Sequence, residues 1–438
     1  MKKTPLEDWI VGRTGIDERS REKLEEYQLA RIRETLEYAK ARSRFYRGRL
    51  EAIKPEDIVG KASLWKIPFT FPKDLQRDPF GFLCVPQSEI SRVVTLRSTG
   101  TSGTEKRIFF TEDDLEKTIE FFIYGMGGLV GKADRVLVLL PGPVYGSIGD
   151  LLKKALERIG IACFVHGVVT DIEETAGEIA DKEISCLVGI PSQVLRLSRE
   201  KNGLFRSRIK SVLLSTDYVP EALIRELTEE CGCKVFTHYG MTEMGYGGGV
   251  ECEALCGYHM REAELFFEIV DPSSGLLVPD GTPGEIVFTT LDRKAMPLIR
   301  YRTGDIASFS PSPCPCETFL KTIRRVSTRL ENMIRIGENS FCLSELDELI
   351  LPFREVTDYG ARILDDSSLN IEIRTKDKSS FDSVSAQITK KVRNYLAEKS
   401  AFEAFPRIGV SWKNETEISK NSMTKRTLPD LRKNKAET

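Results

Sequence analysis

The sequence predicts an α/β protein: a large N-terminal α/β domain of parallel sheets with an antiparallel insert, and a small α+β C-terminal domain joined to it by a hinge. Three observations lead there. The chain has 438 residues, beyond the ~250–300 at which one hydrophobic core stops growing, so more than one domain is expected. Between residues 92 and 290 short apolar runs alternate with helical patterns, the rhythm of βαβ units around a parallel sheet. Near residue 325 that rhythm gives way to a shorter mixed pattern.

The elements justify this in order. Residues 20–50 place Leu24, Tyr27, Ala30, Ile32, Leu36 and Ala39 at helical spacing with charges between them, an amphipathic docking helix broken near Ser43. VVTL (93–96), RVLVLL (135–140), ACFVHGVV (162–169), CLVGI (186–190), SVLLST (211–216) and KVFTHYG (234–240) read as buried strands. DLLKKALERI (150–159) and PEALIRELTEECG (220–232) read as helices between them. In 266–291, two strands flank Pro, Gly and Asp punctuation, an antiparallel hairpin-like insert. IRIG, ARILDDSSLNIEIRT, FDSVSAQITKKVRNYLAEK and RIGVSW then make a small α+β domain. The expected division is 1–328, with a helical part over 1–60, and 329–438.

Composition narrows the function. With 40% hydrophobic and 30% charged residues the chain is an ordinary globular protein, and 64 basic against 66 acidic residues give no global field to recruit nucleic acid or an anionic membrane. The N-terminus MKKTPLEDWIVGRTG lacks the apolar centre of a signal peptide, and no run approaches the ~18 apolar residues of a membrane span. A cytoplasmic protein with no nucleic-acid or membrane partner is expected. Ten Cys are too sparse for a disulfide scaffold, so their clustering matters more than their number.

Three segments carry chemistry. STGTSGTEK (98–106) lies between two strands; its Gly-rich backbone and hydroxyls can wrap phosphate oxygens and Lys106 adds a point charge, although it is no Walker A loop. A polar hairpin turn is the alternative. THYGMTEMGYGGG (237–249) places one carboxylate, Glu243, at a strand end, where an α/β sheet puts ligands and where an acid can hold Mg²⁺. A loop acid is the alternative, and His238 behind it reads as a core residue. In PLIRYRTGDIA (297–307) Asp305 can accept both ribose hydroxyls, or simply cap a turn.

In order and spacing, STGTSGTEK, SVLLSTDYVP, HYGMTE, YRTGD and RVSTRLENMIRIG resemble the core motifs of adenylate-forming ligases, the family of acyl-CoA synthetases and peptide-synthetase adenylation domains. FYRGRLEAIKPEDI, KIPFTFPKDLQRDPFGF, GGGVEC, FFEIVDPSSG and FTTLDRKAMPLIRYRTGDI are similar to its phenylacetate-CoA ligase branch, from about residue 25 onward. The resemblance implies ATP, Mg²⁺, CoA and a small or aromatic carboxylic acid. Thr99, Gly100, Thr101, Ser102, Gly103 and Thr104 would hold the β- and γ-phosphates. Ser215, Thr216 and Asp217 would border adenine; Tyr239, Gly240, Met241 and Thr242 would line adenine and the α-phosphate, with Glu243 on Mg²⁺. Asp305 and Arg329 would bind the ribose, Tyr145 and Gly146 would lie at the acyl pocket, and Glu331 would be the hinge. A homodimer is expected from relatives of this size.

The chain departs from that pattern once. Relatives carry a catalytic Lys in a stretch like EGKAKRV, whereas here the stretch is SKNSMTKRTLPDLR; with the Lys-Arg pair set on Lys425 and Arg426, the catalytic place falls on Met423. A thioether cannot neutralise phosphate charge, so Lys425 is expected to act instead, with Lys420 as the alternative. Two other readings stand beside the ligase: a relative that performs only the thioester half-reaction, and a nucleotide-binding partner protein without turnover. Separately, Cys252, His259, Cys314 and Cys316 supply four ligands suited to tetrahedral structural Zn²⁺, with Cys256 a spare and Cys231 and Cys233 a weaker pair. Reduced thiols packed in loops are the alternative.

Overall fold

In the computed structural model the described residues are 2–97, 105–336, 339–399, 405, 407–413 and 426–432. They are mixed α/β and form two compact units, residues 1–134, 142–165 and 236–326 in one, and 135–141, 166–235 and 327–438 in the other.

In the first unit the long helix spans Arg21–Arg42 and buries Leu24, Ile32, Leu36 and Ala39. It stops at Ser43, whose extended backbone ends one helix and whose hydroxyl accepts from Tyr46 N to start the next, Arg44–Arg49. The expected break is found there. Helix Glu112–Gly127 opens on a capping box between Thr111 and Asp114. Strand Arg92–Arg97 pairs antiparallel with Glu105–Phe110, Arg92 opposite Phe110 and Arg97 opposite Glu105. VVTL is therefore one arm of an antiparallel pair rather than a buried parallel strand, and Val93 on it is 41% exposed. The insert is antiparallel as expected: Leu265–Val270, Gly284–Thr290 and Tyr301–Ala307 form consecutive neighbours. Gly249–Glu251 links the end of strand Lys234–Tyr239 to Tyr258–Met260, which in turn pairs with Thr322–Ile323.

The second unit holds the parallel strands Arg135–Leu139, Cys186–Gly189 and Ser211–Leu214, with Val136 beside Cys186 and Cys186 beside Ser211. The last two are buried at every residue, as near-continuous apolar strands covered on both faces are. Residues 215–217 leave the carboxyl end of the third, the place where such sheets set ligand-binding loops. The C-terminal part is α+β. Val356–Ile363 pairs antiparallel with Leu369–Thr375, which runs parallel to Ile408–Trp412. Helix Phe381–Glu398 buries Val384, Ile388, Val392 and Leu396, a four-residue repeat along one face.

Candidate active site

Glu243 sits in the short turn Thr242–Met244 that follows strand Lys234–Tyr239. The glycines around it answer to close packing. A Cβ on Gly240 would lie 2.2 Å from the Tyr246 carbonyl oxygen, one on Gly247 would lie 2.3 Å from the Phe121 ring, and Gly245 takes φ +73° to close the turn. The Glu243 carboxylate is only 3% exposed. It is ion-paired with Lys106, accepts from the Tyr301 hydroxyl at 3.1 Å, and its carbonyl accepts from Arg293 at 2.9 Å. A buried carboxylate needs such cation partners, since an isolated charge would cost far more than it returns.

Asp305, 2% exposed, lies on strand Tyr301–Ala307 and accepts from the Tyr239 hydroxyl at 3.0 Å. The two phenols therefore cross: Tyr239, from the Glu243 segment, reaches Asp305, and Tyr301, from the Asp305 segment, reaches Glu243. That crossing ties both acids into one rigid assembly. Burial pulls His238 down to about 4, so the imidazole behind the turn stays neutral near pH 7. Burial also lowers Arg293, whose guanidinium stacks 4.3 Å over the Phe110 ring.

Gly146 has φ +67°, and its carbonyl accepts from Tyr246 at 2.9 Å while its N–H donates to Asp150 at 2.9 Å. Tyr145 beside it is 44% exposed, with its hydroxyl on Glu112, a bond that pushes the phenol up to about 12, and its ring 4.6 Å from the Lys154 ammonium.

In the second unit, Thr216 takes φ +86° at the strand exit, and Asp217 turns to Arg426. Arg426 donates through Nε to Asp217 at 3.0 Å and bidentately to Asp347 at 2.8 Å and 2.8 Å, while its carbonyl accepts from Asn332 at 3.0 Å. Burial works against this guanidinium, but Asp347 and Asp217 outweigh it and hold its pKa well above the usual value. Arg329 donates to Glu331 at 2.8 Å, joining the predicted ribose ligand to the predicted hinge. Thr99 through Thr104, Met423 and Lys425 lie outside the described residues.

The four expected metal ligands do come together. Cys252, His259, Cys314 and Cys316 are all buried, with ligand atoms within 4.8 Å of one another. Cys252 Sγ lies 3.6 Å from Cys314 Sγ and 3.3 Å from His259 Nε2, and Cys316 Sγ lies 3.5 Å from the same nitrogen. Tetrahedral zinc with ordinary Zn–S and Zn–N bonds has ligand edges of about 3.5–3.8 Å, so the donor set fits. Strand pairing builds it: Thr322 opposite His259 brings the loop carrying Cys314 and Cys316 against the loop carrying Cys252. His259 Nδ1 is buried without a hydrogen-bond partner among the described residues, leaving Nε2 as the ring nitrogen that faces the sulfurs.

The profile of the family described as AMP-binding enzyme matches residues 93–291, the stretch that carries the crossed acids' first half. Phenylacetate-coenzyme A ligase from Pseudomonas putida is 28% identical over 397 residues, spanning 85% of this chain and 88% of that protein. The Thermus thermophilus phenylacetate-coenzyme A ligase is 29% identical, spanning 81% and 82%. These likenesses support the adenylate-forming, phenylacetate-CoA ligase-like reading of the motifs. The fold agrees. A 2-hydroxyisobutyryl-CoA ligase crystallised in the postadenylation state superposes with a TM-score of 0.78 at 20% identity, over 95% of this chain and 92% of that one. An anthranilate CoA ligase bound to anthranoyl-AMP gives 0.55 at 16% identity, over 79% and 67%.

The structure adds residues that sequence reasoning did not assign. Tyr301 stands inside the quoted PLIRYRTGDIA segment, but its role needs the register that sets it opposite Glu243, 58 positions away. The partners of Arg293 and Arg426 were not readable for the same reason: a guanidinium's partner is fixed by folding, not by its neighbours in the chain.

Proposed function

We propose that this chain is an ATP-dependent, AMP-forming carboxylate-CoA ligase acting on an aromatic or other small carboxylic acid. The observation that carries it is the crossed pair of buried acids, Glu243 and Asp305, each held by the other's tyrosine, in a chain similar along most of its length to phenylacetate-CoA ligases. The acid's carboxylate oxygen attacks the α-phosphorus of ATP and pyrophosphate leaves; the CoA thiol then attacks the acyl carbon and AMP leaves. No protein nucleophile is needed. Rate comes from holding the partners in line and countering phosphate charge.

In this reading Asp305 and Arg329 take the ribose hydroxyls, and Ser215, Thr216, Asp217, Tyr239, Gly240, Met241 and Thr242 frame the base and α-phosphate. Thr99, Gly100, Thr101, Ser102, Gly103 and Thr104 take the outer phosphates, and Tyr145 and Gly146 border the acid. Mg²⁺ would supply Lewis-acid neutralisation of phosphate charge, and Glu243 fits as its ligand because this buried carboxylate already sits against a cation, Lys106. Lys425, next to the doubly anchored Arg426, would bring a charge to the reacting oxygens. The division at 328/329 with Glu331 as hinge is part of the same proposal, as are a structural zinc on the Cys/His cluster, a homodimer, and a cytoplasmic location. For the last, no helix among the described residues is long and apolar enough to cross a membrane.

Acid-dependent exchange of pyrophosphate into ATP, run over a panel of carboxylic acids, tests this. Exchange with one acid class and none without acid supports a ligase. Thioester formed only from supplied acyl-AMP would reduce the enzyme to its second half-reaction, and nucleotide binding without either activity would make it a partner protein.

A further inference from the structure

The cysteine cluster offers five donors where a tetrahedral ion takes four. Cys256 is the exposed one, while Cys252, Cys314 and Cys316 are buried. Its Sγ lies 3.6 Å from Cys314 Sγ, the same separation as between Cys252 and Cys314. The turn holds it there. Leu255 N donates to the Cys252 carbonyl at 3.0 Å, and Gly257, at φ +127°, sits so tightly that a Cβ would lie 2.5 Å from the Ile323 carbonyl oxygen. A thiol at the rim is open to a solvent oxidant, and Cys314, 3.6 Å away, is placed to resolve it once oxidised.

We propose that Cys256 is a peroxide-reactive thiol that captures Cys314 as a disulfide and so withdraws it from the metal set. The Cys256 sulfur attacks one oxygen of hydrogen peroxide; the O–O bond breaks, water leaves with the thiol proton, and a sulfenic acid remains. The Cys314 sulfur, a thiolate while it holds zinc, then attacks the Cys256 sulfur, the S–O bond breaks, and the hydroxide that leaves takes a proton from solvent to become a second water. One thiol, one thiolate, one solvent proton and one peroxide become one disulfide and two waters. A side-chain rotation covers the ~1.5 Å still separating the sulfurs from bonding distance. With Cys314 removed, only Cys252, His259 and Cys316 remain as ligands, and a dithiol reductant restores the set. The loss of metal rests on the zinc reading above; the bond between the two sulfurs does not.

The test uses the full chain purified without chelator, its zinc measured first, then exposed to hydrogen peroxide with a chromogenic zinc chelator present and its peptides mapped by mass. The expected result is a Cys256–Cys314 linked peptide and zinc release, both reversed by dithiothreitol. Cys256→Ser should keep the same zinc as purified and release it about tenfold more slowly. Equal release by Cys256→Ser, a link joining Cys252 to Cys314, or loss of zinc from Cys256→Ser before oxidation would each overturn the proposal. If the wild-type chain carries no zinc, the metal reading alone fails, and the presence or absence of the Cys256–Cys314 peptide decides the thiol chemistry.

Discussion

At the scale of single residues, Glu243 and Tyr301 separate a charge effect from a hydrogen-bond effect. Glu243→Gln keeps the shape but removes the charge that answers Lys106 and would hold Mg²⁺, so acid-dependent pyrophosphate exchange should fall about a hundredfold or more. Tyr301→Phe removes one hydrogen bond to that charged carboxylate, worth about 1.5–3 kcal/mol, and should cost less than the loss of the charge itself, about tenfold. Steady-state exchange rates of the two purified variants check the ordering. Lys425→Ala should lower exchange at least about tenfold, and unchanged exchange would remove that side chain from the mechanism. His238 makes a pH prediction. Its pKa falls from an ordinary 6.5 to about 4 through desolvation, so below pH 6.5 the unfolded chain binds a proton that the folded chain refuses. Stability is fully present above 6.5 and should decline as pH falls from 6.5 toward 4. His238→Phe should flatten that decline in urea titrations at successive pH values.

Elements were the most legible level. Ser43 was readable as a break because a hydroxyl beside extended backbone both ends and starts helices. The punctuation in 271–283 was readable as the connection between the antiparallel strands Leu265–Val270 and Gly284–Thr290. What was not legible depends on pairing. VVTL has the apolar content of a core strand, yet becomes one arm of an antiparallel pair because Glu105–Phe110 claims its edge. Glu268 and Arg300, which no spacing in the sequence connects, form a buried bidentate pair at 3.0 Å and 2.9 Å on the insert, with Arg300 stacked 4.0 Å over Phe69. Removing one partner strands the other charge in the core, so Glu268→Leu should destabilise the fold by about 3–5 kcal/mol, measurable by denaturant unfolding.

For the whole molecule, the same division between chemistry and pairing holds. Glu243 and Asp305 were visible in sequence because each stands near a glycine at a predicted strand end; their mutual bracing by Tyr239 and Tyr301 was not. Cys252, His259, Cys314 and Cys316 were visible as residue types, and the pairing of Thr322 with His259 is what assembles them. Arg426, the residue after Lys425, is anchored on Asp217 and Asp347, so Arg426→Ala should lower exchange by more than it weakens ATP binding, a split that calorimetry and kinetics resolve together. The most direct measurement is product analysis of the purified chain supplied with ATP, Mg²⁺, CoA and phenylacetate or a related acid. AMP, pyrophosphate and acyl-CoA should appear in equal amounts and vanish together in Glu243→Gln. Release of ADP, or acyl-CoA formation that survives Glu243→Gln undiminished, would contradict the assignment.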